Sequence, residues 1–585
     1  MSRLIINTNR RLLIWYAVVI FVIIIIILRL FYLQIIRHDY YQKAARNDQL
    51  KQYTIVPERG LIKAYQGTDI VPLVLNQKLY TLYADPSLIK DSSVTAAKLA
   101  PIINQDTATV KKAITRENTR YTVLAKRLDE KINARILALK LPGIGTQGQD
   151  YRVYPQGSLA AQVLGFVNDE GQGIYGIEQH FNEQLKGKAG LLKATTDVNG
   201  VPLAASRDNI QIDPTPGEDY VLTIDMAMQR QVENILKQGL ERVGSKSGSV
   251  VLMEPYTGKI KALANYPTYD PGKFYEVKDP ALFNNPAVSA PLEVGSVMKA
   301  LTVAAGLNEG VITPQSSYID SGFVKIDGAT IKNVTPVPTN PTSIKDVLSL
   351  SLNTGAVHVL KQLGGGELNK SGRMKLYNYF VNNYQLGNYT GIEQPNEGKG
   401  TVANPLSGYG LNLQYANMTF GQGMTATILQ MGSAFSSIVN GGTYFKPYII
   451  ESRIGKDGKK IENKSRIIKK NVIKPQVSNQ LRDLLEYVYV QNYKNYRTNL
   501  YSGYIIGGKT GTGQIAKPEG GYKEDEFNGT YVGFVGGDKP KYVAAVLVNS
   551  PNLKSYEFAG SRAAAPIFGG IADMLINNFG VEPGS

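Results

Sequence analysis

The chain has 585 residues, 64 of them Lys or Arg and 48 Asp or Glu, a formal charge of +16, with three histidines and no cysteine. The missing thiol excludes a disulfide framework, a cysteine nucleophile, an iron–sulfur cluster and a thiolate zinc site. His38, His180 and His358 each stand alone without a ligand partner at metal spacing, so no cofactor or metal is expected.

From Leu12 to Leu28 seventeen residues carry no charge. That run has the ~17–25 residue length of one membrane-spanning helix, and exceeds the ~7–15 residue apolar core of a cleaved signal peptide. RLFYLQIIRHDYY follows it where a cleavage site would need small residues. The reading is an uncleaved anchor over residues 12–33 after a tail of residues 1–11. Basic residues flank it on both sides, so the charge count alone leaves its orientation open.

Residues 37–213 mix short strand-like runs with helical stretches at Ala96–Thr115 and Leu128–Leu139, and give way at Asp213-Pro-Thr-Pro-Gly-Glu-Asp219 to a predicted linker. Beyond it, residues 220–585 open with YVLTID and a helical segment in which Met228, Val232, Ile235 and Leu236 recur at helical spacing. Gly248–Asn265 reads as a β-hairpin turning at Pro255-Tyr-Thr-Gly258. Far downstream YIIGGKTGTG, GTYVGFVGG and KYVAAVLVNS are three more strand runs. Strands at both ends with helical sequence between them predict one antiparallel sheet with a helical insertion, an α+β fold. Glu451–Lys474 carries nine basic and three acidic residues but no aromatic side chain to stack on bases, so it reads as a solvated hairpin and no nucleic-acid partner is expected.

Three short motifs carry the chemistry. Ser296 and Lys299 lie one helical turn apart just after Gly295, so the ammonium can reach the hydroxyl. A serine hydroxyl needs a base within hydrogen-bond reach, and with histidine nearly absent the available base is a lysine whose pKa is lowered by burial or a cationic neighbour. Ser351-Leu-Asn353 follows, and Lys509-Thr510-Gly511-Thr512 ends the strand YIIGG. Gly507, Gly508 and Gly511 are expected to let a substrate backbone approach that strand. Lysine and hydroxyls there can hold a carboxylate.

In this order the set matches the signature of serine penicillin-binding proteins and β-lactamases. Further segments make the chain resemble class B penicillin-binding proteins over nearly its whole length. Pro57-Glu-Arg59-Gly60, Tyr151-Arg-Val-Tyr-Pro155, Gly165-Phe-Val and Gly176-Ile-Glu178 resemble their non-catalytic pedestal; Leu222-Thr-Ile-Asp225 and Phe420-Gly-Gln-Gly423 resemble landmarks of their transpeptidase domain. Two departures are Val294 where the family commonly has proline, and Leu61–Gly67, which lacks the usual acidic-basic-Asn pattern.

The resemblance implies a mixed α/β pedestal over 37–213 and, over 220–585, a penicillin-binding/β-lactamase-like transpeptidase domain with an antiparallel five-stranded sheet flanked by helices. It also implies a peptidoglycan D,D-transpeptidase. In that reading Ser296 is acylated with release of D-alanine, Lys299 is its base, and Ser351 relays a proton. Asn353 holds Lys299 and the substrate amide, Lys509, Thr510 and Thr512 bind the terminal carboxylate, and the amides of Ser296 and Thr512 form the oxyanion hole. Implied partners are peptidoglycan stem peptides on lipid-linked nascent glycan, β-lactams as inhibitors, and a SEDS-type polytopic glycosyltransferase with other divisome or elongasome membrane proteins. The implied location is the cell membrane, single-pass, with the N-terminus cytoplasmic and the catalytic domain outside. Division-type features outweigh elongation-type ones. The alternatives are an elongation-specific transpeptidase, a hydrolase of the carboxypeptidase or β-lactamase kind, and a β-lactam sensor.

Overall fold

The computed structural model describes residues 5–42, 50–195, 210–334, 336, 340–455, 457–517, 520–553, 555 and 558–584. Its N-terminal helix Ile5–Phe31 continues as a π-helical turn, Tyr32–Ile36. The Ile and Val side chains that crowd this segment favour strands in water, but a lone chain in lipid must satisfy its backbone internally, which a helix does. Arg10–Ile36 is long and apolar enough to cross a membrane, and none of it is buried within the described chain.

The chain divides into two compact units, residues 1–58 with 187–217, and residues 59–186 with 218–585. In the first, Gly190–Thr195 pairs antiparallel with both Leu50–Ile55 and Ile210–Ile212. The predicted linker is tied down: within the first unit Thr215 exchanges backbone hydrogen bonds with Lys188, and Gly217 N donates to Glu58 O at 2.8 Å.

In the second unit a mixed sheet runs in the order Lys460–Glu462, Ile450–Ile454, Asp219–Asp225, Ile62–Gln66, Asp69–Ala84, Thr122–Leu128, with Ile144–Val153 also on Asp69–Ala84. Asp219–Asp225 is hydrogen-bonded on both edges, parallel to Ile62–Gln66 and antiparallel to Ile450–Ile454. The helix expected over Ala96–Thr115 is two helices, Ser92–Leu99 and Thr107–Ile114. Pro101 cannot continue the first, Asn104 takes a left-handed φ of +51°, and Asp106 caps the second by accepting from Thr109 N.

Three segments of the family resemblance converge on one buried charge cluster. Glu178, fully buried, takes Arg59 at 2.6 Å and Arg152 at 2.7 Å. Arg152 also donates to Asn76 Oδ1 and Gly60 O, each at 2.7 Å. Burial opposes the Glu178 charge, yet Arg152 and Arg59 together hold its pKa below the ordinary carboxylate value.

The C-terminal region is built on α1 (Met226–Arg242), β1 (Ser247–Met253), β2 (Ile260–Tyr266), α2 (Met298–Asn308), α3 (Asn353–Leu363), α4 (Ile428–Val439), α5 (Pro475–Tyr496), β3 (Ile505–Ala516), β4 (Tyr522–Gly536), β5 (Pro540–Asn549) and α6 (Ala565–Asn578). The sheet order is β2-β1-β5-β4-β3, antiparallel throughout, so the two ends of the region close one sheet as expected. Alternate strand residues feed opposite faces. Val250, Leu252, Ala544 and Val546 pack with α1 and α6, whereas Val251, Met253, Ala545 and Leu547 join the core containing α2 and α4. All twelve residues of α4 are buried, the mark of a helix enclosed on every side. The strand β3 lies at the sheet edge, and that edge meets the start of α2.

Candidate active site

Ser296 sits in a 3-10 turn, Gly295–Val297, that leads into α2. Gly295 has φ +66°, and a Cβ there would collide with the Thr512 carbonyl, so glycine is required twice over. Gly295 N donates to Gly421 O at 3.2 Å, and Thr530 Oγ1 donates to Val294 O at 2.7 Å. These bonds pin the turn between β3, β4 and the Phe420–Gly423 loop.

The Lys299 side chain is completely enclosed. Its Nζ lies 2.9 Å from Ser296 Oγ, 2.6 Å from Ser351 O, 3.1 Å from Ser351 Oγ and 2.8 Å from Asn353 Oδ1, with the Phe420 ring centroid 5.8 Å away. Ser351 has φ +58°, a left-handed conformation that costs a non-glycine residue on the order of 1–2 kcal/mol. The strain turns both its carbonyl and its hydroxyl onto Lys299. Asn353 is the first residue of α3; its amide donates to Lys332 O at 2.9 Å, which leaves Oδ1 facing the lysine. Behind it Asp320 Oδ2 accepts from Tyr318 and Thr354 hydroxyls, each at 2.7 Å, and from Asn333 Nδ2 at 3.0 Å. Asn333 Oδ1 in turn accepts from Thr354 N at 3.0 Å. His358 stacks on Tyr318 at 4.7 Å, a packed helix histidine.

Lys509 reaches in from β3. Its Nζ is 3.1 Å from Ser351 Oγ, 3.1 Å from Thr510 O and 3.2 Å from Thr510 Oγ1. Burial pushes its pKa down to about 7. Burial, and then the charge of Lys509, hold Lys299 well below the ordinary lysine value. Neither lysine takes part in an ion pair among the described residues. The cluster opens into a cleft of about 1060 Å³ lined by Ser296, Ser351, Asn353, Thr510, Gly511 and Thr512.

All eight residues singled out in the sequence therefore meet at one place. The strand glycines have a packing role that the sequence did not show. A Cβ on Gly507 would meet the Phe534 ring at 2.6 Å, and one on Gly508 the Tyr531 ring at 2.6 Å. One on Gly511 would meet Val294 O at 2.6 Å and Val297 N at 3.1 Å. Protein fills these Cβ positions, so the glycines bring the strand against its neighbours and against the Gly295–Val297 turn, while Gly511 also lines the cleft. Sequence reasoning also missed Asp320 and Asn333, which carry no motif, and Glu293 with Tyr522. Glu293 Oε1 accepts from Gly423 N at 2.9 Å and from Tyr522 OH at 2.8 Å.

Residues 248–573 match the penicillin binding protein transpeptidase domain. The chain belongs to that family. Residues 54–222 match the penicillin-binding protein dimerisation domain. Stage V sporulation protein D of Bacillus subtilis is 31% identical over 583 residues, 99% of this chain and 87% of that protein. Penicillin-binding protein PbpB of Mycobacterium tuberculosis is 30% identical over 477 residues, 80% of this chain and 68% of that one. Among solved structures, a peptidoglycan synthetase from Bifidobacterium adolescentis shares the fold at 23% identity with a TM-score of 0.68, covering 92% of this chain and 98% of its own. The apo form of penicillin binding protein 3 from M. tuberculosis superposes with a TM-score of 0.67 at 25% identity, covering 91% and 98%. The chain is a class B member of the family, a serine acyltransferase whose α+β transpeptidase domain has the architecture expected from the sequence.

Proposed function

We propose that the chain is a peptidoglycan D,D-transpeptidase that cross-links stem peptides through an acyl-enzyme on Ser296. The observation that carries this is the set of partners around Lys299. Ser351 O and Asn353 Oδ1 are pure acceptors and take the two N–H bonds of a neutral amine, so the remaining lone pair faces Ser296 Oγ at 2.9 Å. Burial beside a second lysine favours that neutral form.

Ser296 Oγ attacks the carbonyl of the penultimate D-alanine as its proton passes to Lys299 Nζ. The tetrahedral oxyanion is held by the amides of Ser296 and Thr512. Ser351 Oγ, which touches both lysines, passes a proton to the leaving D-alanine nitrogen and recovers one from Lys299. Lys509, Thr510 and Thr512 hold the terminal carboxylate, whose charge favours protonated Lys509 and so depresses Lys299 further. Asn353 orients Lys299, and its amide meets the donor backbone. An amine of a neighbouring stem peptide then attacks the acyl ester, restoring Ser296. β-Lactams, as strained acylating amides, enter the same path. Labelling the full chain with a fluorescent penicillin and mapping the adduct tests the site: label on any residue but Ser296 overturns it. D-Alanine release that gives no cross-linked product with an acceptor amine would favour the hydrolytic alternative.

In this reading residues 1–11 are cytoplasmic, 12–33 span the cell membrane, 37–213 form the pedestal and 220–585 the extracytoplasmic transpeptidase domain. A SEDS-type glycosyltransferase supplying lipid-linked glycan is the implied partner of the anchor and pedestal. Relatives named FtsI and PbpB support a septal role. The name of the sporulation relative, which matches 99% of this chain, supports a second reading in spore formation. Depletion that blocks vegetative division supports the first, and loss of spores alone supports the second.

A further inference from the structure

Glu293, three residues before the nucleophile, has one oxygen doing all its bonding. Oε1 takes Gly423 N and Tyr522 OH, while Oε2 is buried with no hydrogen-bond partner among the described residues. Burial raises its pKa, and burial and Glu293 together push Tyr522 up to about 12. The two donors come from different elements. Gly423 ends the loop that lays Phe420 over Lys299 and whose Gln422 amide donates to Gln514 Oε1 at 2.7 Å. Tyr522 opens β4, paired with Ala516 across the hairpin from β3. Gln422, Gln514 and Tyr522 all line the cleft.

The direction of the donor peptide follows from the proposed reading, on which this inference rests. With the terminal carboxylate at Lys509 and Thr510 and the scissile carbonyl at the Thr512 amide, the rest of the stem peptide continues along β3 past Gln514 towards Tyr522. Each further pair of strand residues adds ~6.6 Å. We infer that Glu293 is a positioning residue: its carboxyl group clasps the Gly423 loop to the β3–β4 hairpin and so shapes the wall that receives the N-terminal part of a long stem peptide. Short donors that end at the reacting centre do not touch this wall. Because one oxygen carries both bonds, an amide does the same work as the carboxylate.

The test uses the detergent-solubilised full chain, with a stem pentapeptide and acetyl-D-Ala-D-Ala as donors. Glu293→Ala raises KM for the pentapeptide about 10-fold and leaves KM for the short donor and both kcat values within about 2-fold, the size expected for losing bonds made in ground and transition states alike. Glu293→Gln restores the pentapeptide KM. Tyr522→Phe raises it part-way, and Glu293→Ala combined with Tyr522→Phe loses no more than Glu293→Ala. Equal KM changes for the two donors overturn the inference. So does a kcat loss shared by Glu293→Gln and Glu293→Ala, which would make Glu293 a proton carrier. Should Glu293→Ala fail to fold, Tyr522→Phe decides, and an unchanged pentapeptide KM in that variant overturns the inference. Backbone amide exchange gives a readout free of turnover: faster exchange at 422–425 and 520–528 in Glu293→Ala but not Glu293→Gln supports the clasp, and no change overturns it. A wild-type chain that penicillin does not label at Ser296 instead refutes the transpeptidase reading, and the exchange experiment still decides the clasp.

Discussion

Two clusters of buried ionisable groups in the molecule are treated in opposite ways. In the region that matches the dimerisation domain, Glu178 is fully enclosed but bracketed by two arginines, so its negative charge is met from both sides by hydrogen-bonded guanidinium groups. In the cleft, Lys299 and Lys509 are equally enclosed and have each other, hydroxyls and carbonyls for company, with no carboxylate paired to either among the described residues. The Glu178 cluster stays ionised and ties Gly60, Asn76, Arg152 and Glu178 into one structure. In the cleft, burial pushes both lysines towards the neutral form, the form in which an amine can act as a base. Compensation makes a buried charge structural; its absence makes one reactive.

Substitutions test the contrast by pushing the two sites in opposite directions. The largest effect is expected from Lys299→Met, which removes the proposed base: penicillin acylation, followed by stopped-flow labelling, falls about 10⁴-fold or more, while the midpoint of thermal unfolding holds or rises because folding no longer has to desolvate and deprotonate a buried amine. Glu178→Ala does the reverse. Stranding two buried arginines costs about 3–5 kcal/mol in denaturant unfolding, and the fraction that remains folded acylates at the normal rate. Gly511→Ala comes next: a methyl group pressed on Val294 O displaces the nucleophile turn, and acylation drops by about 10- to 100-fold with secondary structure by circular dichroism unchanged.

The smallest effect sharpens the comparison through pH. Lys509 titrates near 7 when folded and ~10.4 when unfolded, so between those values the unfolded chain holds more protons and stability climbs with rising pH. Glu178 has a depressed folded pKa, so its contribution is complete above the unfolded value of ~4.3 and fades as pH falls through the folded one. Lys509→Met should flatten the alkaline limb of a stability-against-pH curve and leave the acid limb in place.

The candidate site was legible because its parts are local signals: a serine and a lysine one turn apart, a Ser-x-Asn loop, and a Lys-Thr-Gly run, which reads in the sequence as the end of a strand but lies inside β3. The antiparallel sheet was legible because its strands are short apolar runs at both ends of the region, separated by turns that carry Gly and Pro. The break at Pro101 had a written signal in the proline and the Asp106 cap, which the helical periodicity on either side outweighed. What the strand glycines face was not legible. Gly511 meets Thr530 and Val294, positions distant in sequence, and no local rule distinguishes a glycine that admits a substrate from one that admits another strand or turn. Asp320 and Asn333 were hidden for the same reason, since they act on Thr354 from a hairpin over twenty residues upstream.

The strand Asp219–Asp225 sets a limit on how this enzyme can be retuned over evolutionary time. Its backbone is the seam between Ile62–Gln66 and the hairpin at Ile450–Ile454, bonded on both edges and with Tyr220 to Asp225 all buried, so it is held by ladder and core together. Re-aiming the cleft relative to the pedestal would take an insertion or deletion. An odd-numbered slip would send Leu222 and Ile224 from the core to the opposite face. Point mutations at the cleft wall leave this seam untouched, so variants with altered drug sensitivity should gather at the lip and spare the seam.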